Sequence, residues 1–156
     1  MTVSSTTTKV SYSGNGSTTV FAYTFKIFAD ADLTVIVRTD STGAEVTKTL
    51  TTHYTVSGAG NTNGGNVTFG TAPASGETVV IKRNLALTQS TDYTPNDPFP
   101  AASHEDALDR QMFVAQQQEE RFARALVFPE TDTASTTIPS SVARADKFLG
   151  FDSSGN

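Results

Sequence analysis

The sequence predicts a mainly β protein with one long α-helix: a small β-sandwich or barrel-like domain followed by a stalk helix. Three observations carry this. Of the 156 residues 26 are Thr, a β-branched residue that suits strands better than helices. Between residues 10 and 87, short runs of alternating apolar and polar residues are separated by Gly, Asn, Asp and Pro clusters, the pattern of a small all-β domain. The stretch Ser103–Val127, SHEDALDRQMFVAQQQEERFARALV, contains no Gly, Pro or Thr and has helical spacing throughout.

The totals narrow the function classes. Hydrophobic residues make up 37% and charged residues 17%, so much of the polar remainder is uncharged Thr, Ser, Gly and Asn. The net charge of −5 offers no basic face, and nucleic acid is not an expected partner. There are no cysteines, which removes disulfides, thiolate nucleophiles and Cys-based metal sites. No apolar run is long enough for a membrane-spanning helix, and no membrane contact is expected. The opening MTVSSTTTKVSYSG has no apolar signal-peptide core, so synthesis in the cytoplasm without export by that route is the expectation.

Residues 1–9 read as a polar leader and Val10–Tyr12 as a first short strand. After the turn Ser13–Ser17, Val20–Phe28 alternates Phe21, Tyr23, Phe25 and Ile27, a half-buried strand with an aromatic face. Asp30-Ala31-Asp32 breaks it. Leu33–Val37 is a continuous apolar run with one Thr and reads as a central strand. Thr39–Gly43 is a hairpin turn and Ala44–Leu50 the returning strand. Tyr54–Val56, the Gly/Asn loop Ser57–Asn66, strand Val67–Phe69 and the turn Thr71–Glu77 follow. Thr78–Leu87 closes the set, with Val79, Ile81 and Arg83 on one face. Seven or so strands result. They define a β-rich domain over 1–88, then a linker over 89–100 stiffened by Pro95, Pro98 and Pro100. A helix over 101–127 and an extended linker over 128–156 complete the order. The apolar run Lys147–Asp152 looks like the start of a further strand, which predicts a fragment of a longer protein.

Ser103 is the expected N-cap, with Asp106 three residues on as a partial capping box. Acidic Glu105, Asp106 and Asp109 sit at the start, Arg121 and Arg124 near the end, and Pro129 beyond it, as the helix dipole and helix stops favour. Within it Leu108, Met112, Ala115, Glu119, Phe122 and Leu126 alternate spacings of four and three residues, a heptad seam over about three heptads. Gln111, Gln116, Gln117 and Gln118 surround its middle. Such a seam fits a single amphipathic helix packed on its own sheet domain, or a short parallel bundle between identical chains ~37 Å long.

Catalytic chemistry finds little support, and no enzyme activity and no cofactor are expected. His53, in Thr51-Thr52-His53-Tyr54, reads as an ordinary residue at a strand edge. His104-Glu105 has no second histidine at metal-ligand spacing. Asp92, Asp97, Glu105, Asp106 and Asp109 crowd one region, but a solvated helix start explains them more simply than a metal or glycosidase site. The glycines 58, 60, 64 and 65 lack the Lys-Thr/Ser and following helix of a phosphate loop, and Asn66-Val67-Thr68 is a chance match to a glycosylation acceptor.

The ordered set FAYTFKIF, DLTVIV, YTVSGAGNTNGGNVTF, GETVVIKRNL, TDYTPNDPFPAASHEDALDRQ and QQQEERFARAL resembles the N-terminal virion-anchoring domain of tail fibres and tailspikes from short-tailed bacteriophages. Thr91–Arg110 and Gln116–Leu126 carry most of that resemblance, which covers most of the chain. It implies a structural part of the virion tail whose β-domain docks on adaptor and nozzle proteins. It also implies that the stalk helix forms a trimeric bundle, a homotrimer with Leu108, Met112, Ala115, Phe122 and Leu126 in its core. Glu119 departs from an ideal bundle. Host receptor contact would fall to distal domains that this sequence lacks. Two other readings compete: a β-sandwich carbohydrate-binding or adhesin module, which the lack of Trp weakens, and a stand-alone adaptor for a separate spike.

Overall fold

A computed structural model describes residues 3, 5–89, 91–94, 98–125, 127 and 131. Its described elements are seven strands, one 3-10 turn and one α-helix: β1 Lys9–Ser13, β2 Val20–Tyr23, a 3-10 turn Asp30–Asp32, β3 Leu33–Thr39, β4 Glu45–Thr47, β5 Tyr54–Ser57, β6 Gly65–Phe69, β7 Glu77–Arg83 and α1 Ala101–Phe122. Residues 1–121 form one compact unit and 122–156 a second.

The strands make two antiparallel sheets, one of four strands in the order β1-β7-β3-β4 and one of three in the order β2-β6-β5. The continuous run Leu33–Val37 takes the interior position its composition predicts, between β7 and β4. Its register pairs Val35 with Ile81 and Val37 with Val79. Alternation then sends one face of every strand except β4 inward. Phe21, Tyr23, Phe25, Ile27, Leu33, Val35, Val37, Tyr54, Val67, Phe69, Val79 and Ile81 form one buried cluster drawn from both sheets. Each fully buried side chain of this kind stabilises by about 1.5–3 kcal/mol. Aromatic edges add direction: Phe21 meets Phe69 edge-on at 5.6 Å.

Three strands are shorter than the alternation predicts, and of these the expected strand Thr78–Leu87 ends at Arg83. The expected strand Val20–Phe28 ends at Tyr23, although Phe25 and Ile27 stay buried. Its partner β6 begins at Gly65, opposite Tyr23, so the ladder has nothing further to pair with. The carbonyls beyond find other donors: Ile27 accepts from the Gly60 amide at 2.8 Å and Lys26 from the Arg83 guanidinium at 3.2 Å. The expected strand Ala44–Leu50 shrinks to Glu45–Thr47, a short exposed edge that limits pairing with other chains.

Gly64 fixes where β6 starts. Its φ is +79°. A Cβ there would stand 2.0 Å from the Tyr23 carbonyl oxygen and 2.9 Å from the Phe25 nitrogen, both backbone atoms with no room to move. Gly64→Ala combines left-handed strain with that clash and is expected to cost more than about 2 kcal/mol. Urea unfolding checks it. A midpoint within error of the parent would mean that the loop can lift from β2.

Candidate functional site: the two faces of the helix

The helix begins at Ala101, two residues before the expected N-cap Ser103, which is thus an exposed helical residue. The start is set by the linker. The Ala101 amide donates to the Phe99 carbonyl and the His104 amide to that of Pro100, each at 3.0 Å. The His104 ring packs on Phe99 at 5.1 Å, and its Nδ1 lies 3.1 Å from the Tyr93 hydroxyl. His104 is thus the post that the linker aromatics staple to. The regular helix ends at Phe122, five residues short of Val127.

One face of α1 is clamped to the β-domain almost entirely by polar groups. Asp109, Phe113 and Gln117 are its buried residues. Lys26, just beyond β2, reaches Asp106 Oδ1 at 2.7 Å and Asp109 Oδ2 at 3.2 Å. Arg83 at the end of β7 donates to Gln116 Oε1 at 2.6 Å. The Gln117 amide accepts from the Leu85 nitrogen at 2.7 Å and donates to the Leu85 oxygen at 3.3 Å, pairing with the chain beyond β7 as a further strand residue would. Arg110 holds the carbonyls of Ala86 and Thr88. The leader is held too, by Gln116 Nε2 on the Ser5 oxygen at 3.0 Å and Glu120 on Lys9 at 2.9 Å.

Phe113 is the single apolar plug in this face. Its ring lies 5.7 Å from that of Phe28 and 3.8 Å from the Arg83 guanidinium, which also faces Phe25 at 5.6 Å. Arg83 is 3% exposed, and its Nε has no hydrogen-bond partner among the described residues. Burial pulls its guanidinium down to about 10, with Asp32 opposing. A cavity of about 60 Å³ lies where Arg83, Lys26, Asp109 and Phe113 meet Ser5 and Thr7, room for a few waters and no more.

The heptad seam lies roughly a third of the way round the helix from this clamp. Leu108 is 52% exposed, Met112 51% and Phe122 62%, and Ala115 and Glu119 are exposed too. Leu126 lies outside the described residues. The face that packs on the chain's own sheets is therefore not the seam. The chain packs α1 on its own sheets through Asp109, Phe113 and Gln117, and leaves the apolar seam uncovered. A groove of about 330 Å³ lies between the helix and the chain beyond β7, lined by Leu87, Ala107, Val114 and Gln118 among others.

Within the acidic group Asp92, Glu105 and Asp106 are exposed, as a solvated helix start has them, and Asp109 alone departs. Asp109 is buried and shares Lys26 with Asp106, while Asp97 lies outside the described residues. No three His, Cys, Asp or Glu side chains converge to hold a metal ion among the described residues. His53 is a turn residue whose Nδ1 accepts from the Thr49 amide at 3.0 Å. No described helix is long and apolar enough to cross a membrane. Sequence reasoning missed Lys26, Gln116 and Gln117. Lys26 sits amid Phe25, Ile27 and Phe28, and that placement was the available signal for a buried cation.

The clamp gives a pH dependence with a defined sign. Burial works against the Lys26 charge, but the bonds to Asp106 and Asp109 outweigh it and raise its pKa. Tyr23, whose hydroxyl donates to the Ser57 carbonyl, is pushed up to about 12 by burial, with the Asp30 charge adding, and burial raises Tyr54 as well. All three hold their proton more tightly in the folded chain. The stability they contribute is full below their unfolded pKa values, about 10, and is lost as pH rises through the folded values. Arg83, shifted the other way, opposes them above about pH 10. Urea midpoints are expected to fall between about pH 10 and about pH 12, and Tyr23→Phe to remove the latest component of the tyrosinate absorbance. An unchanged absorbance curve in that variant would sink the assignment.

No family model matches the chain. A relative does: the tail spike protein of Salmonella phage epsilon15 is 38% identical over 130 residues, 83% of this chain and 12% of that protein. The chain thus spans about an eighth of the length of the tail spike that it matches. That stretch of likeness is long enough to take in most of both sheets and the helix. The chain is a relative of the tail spike proteins of short-tailed bacteriophages.

Proposed function

We propose that this chain is the virion-anchoring module of a tail spike: its β-domain docks on the adaptor and nozzle proteins of the tail, and its helix joins three copies into the start of a stalk. The observation that carries the reading is the division of labour on α1. A helix needed only for its own domain would bury its most apolar stripe. This one buries Asp109, Phe113 and Gln117, two of them polar, and exposes Leu108, Met112 and Phe122. Exposed apolar residues in a heptad row are what a second helix covers, and the clamp supplies what three heptads alone lack, a fixed origin and direction.

The module performs no catalytic step and takes no cofactor in this reading. It is made in the host cytoplasm and ends up in the virion tail, and host contact belongs to other parts of the spike. The test is competition. Purified chain mixed with tails stripped of their spikes is expected to co-sediment with them and to block attachment of whole spikes. Tails that accept whole spikes equally well in its presence would refute the anchoring role.

A further inference from the structure

We propose that Asn63 is a spontaneous modification site, at which the side-chain amide is lost to give Asp and isoaspartate, and that the fold protects the chain's other Asn-Gly pair, Asn15-Gly16, from the same reaction. In this reaction the backbone nitrogen of the following residue attacks the Asn Cγ. A bond forms between that nitrogen and Cγ, the Cγ–Nδ2 bond breaks, and ammonia leaves with the proton lost from the backbone nitrogen. Water then opens the cyclic succinimide at either carbonyl, giving Asp or its isomer with an extra methylene in the main chain. Glycine in the second position leaves the nitrogen unhindered by a Cβ. No oxidant, metal or enzyme is needed.

The two pairs have the same chemistry and opposite surroundings. Asn15 is occupied at both ends: Oδ1 accepts from the amides of Ser17 at 2.9 Å and Thr18 at 2.7 Å, and Nδ2 donates to Thr18 Oγ1 at 2.8 Å. The attacking nitrogen of Gly16 donates to the Pro73 carbonyl at 2.8 Å. Four bonds must give way before Cγ and nitrogen can meet. Asn63 is exposed, and its side chain makes no hydrogen bond among the described residues. The Gly64 nitrogen is held only by a longer bond, 3.2 Å, to the Asn61 carbonyl across a turn. Gly64 is buried and the Asn63 amide donates to Asn61 Oδ1 at 2.9 Å, but on the reacting atoms themselves only that one longer bond must break. The product matters locally. It adds a negative charge to a chain already at −5. The isomer also lengthens the backbone beside Gly64, which is pressed against the Tyr23 carbonyl.

The whole chain is incubated in mildly alkaline buffer at body temperature, folded and in urea, then cut with trypsin. Asn15 falls in the peptide 10–26 and Asn63 in 49–82. Each event adds about 1 Da, and fragmentation places it on a residue. In the folded chain Asn63 is expected to convert several-fold faster than Asn15, and Asn63→Ser to abolish the gain in peptide 49–82. In urea the two sites should converge. Equal rates at the two sites in the folded chain would overturn the proposal. So would an unmodified Asn63 after a time that converts it in urea.

Discussion

Phe113→Ala is expected to destabilise the protein by about 3 kcal/mol, the lower end of the range for a buried phenylalanine. Phe113 is 4% exposed and is the one apolar side chain that α1 buries against the sheets. Its removal leaves a void between the Phe28 ring and the Arg83 guanidinium. Water entering that void rehydrates Arg83, whose burial already depresses its pKa, and this offsets part of the loss. What then holds the helix is a set of polar bonds, each worth about 0.5–1.5 kcal/mol net. The helix should therefore loosen before the sheets unfold. Urea unfolding followed by far-ultraviolet circular dichroism measures the loss, and amide exchange shows where it falls. A loss under about 1 kcal/mol would mean that the polar clamp carries the docking alone.

The β-domain was legible because its strands obey a local rule. Tyr23, Val35, Val67, Val79 and Ile81 are where period-two alternation puts them, and burial follows from that. Even Arg83, grouped by alternation with Val79 and Ile81, is buried beside them. The ends of strands were less visible. Nothing in Thr24–Phe28 says that the ladder stops at Tyr23; the reason lies in Gly64, forty residues away, which turns the partner strand aside. The helix was legible in a partial way that has a physical cause. Periodicity detects apolar stripes, and the only apolar stripe on α1 is the exposed one. The docked face reads Asp109, Phe113, Gln116, Gln117, Glu120, and a polar face like that packs against a domain only when Lys26, Arg83 and the Leu85 backbone meet it. Those partners lie 32 to 83 residues away in sequence. The helix starts at Ala101, where the 101–127 span has it, and only the cap was misplaced: Pro100 and the His104 staple take the part that Ser103 was expected to play.

Leu108→Asp is expected to separate assembly from folding. In the proposed trimer the seam residues Leu108, Met112, Ala115 and Phe122 of three chains meet around one axis, and each Leu or Phe covered adds about 1.5–3 kcal/mol. An Asp at 108 removes that term and brings three carboxylates together in an apolar site, where unpaired charge costs several kcal/mol more. Light scattering should give the mass of three chains for the parent and of one for the variant. The fold of each chain should survive, because Leu108 is 52% exposed and lies off the face that holds Asp109, Phe113 and Gln117. Phe113→Ala makes the opposite prediction, a weakened chain whose seam chemistry is intact. The pair of variants thus tests whether the two faces are independent. If Leu108→Asp lowers the urea midpoint as much as Phe113→Ala while leaving the mass unchanged, the seam supports the chain's own domain and the trimeric stalk falls. If the mass drops by a factor of about three at constant helical signal, the exposed stripe is an assembly surface and the polar face beneath it is what aims that surface along the stalk.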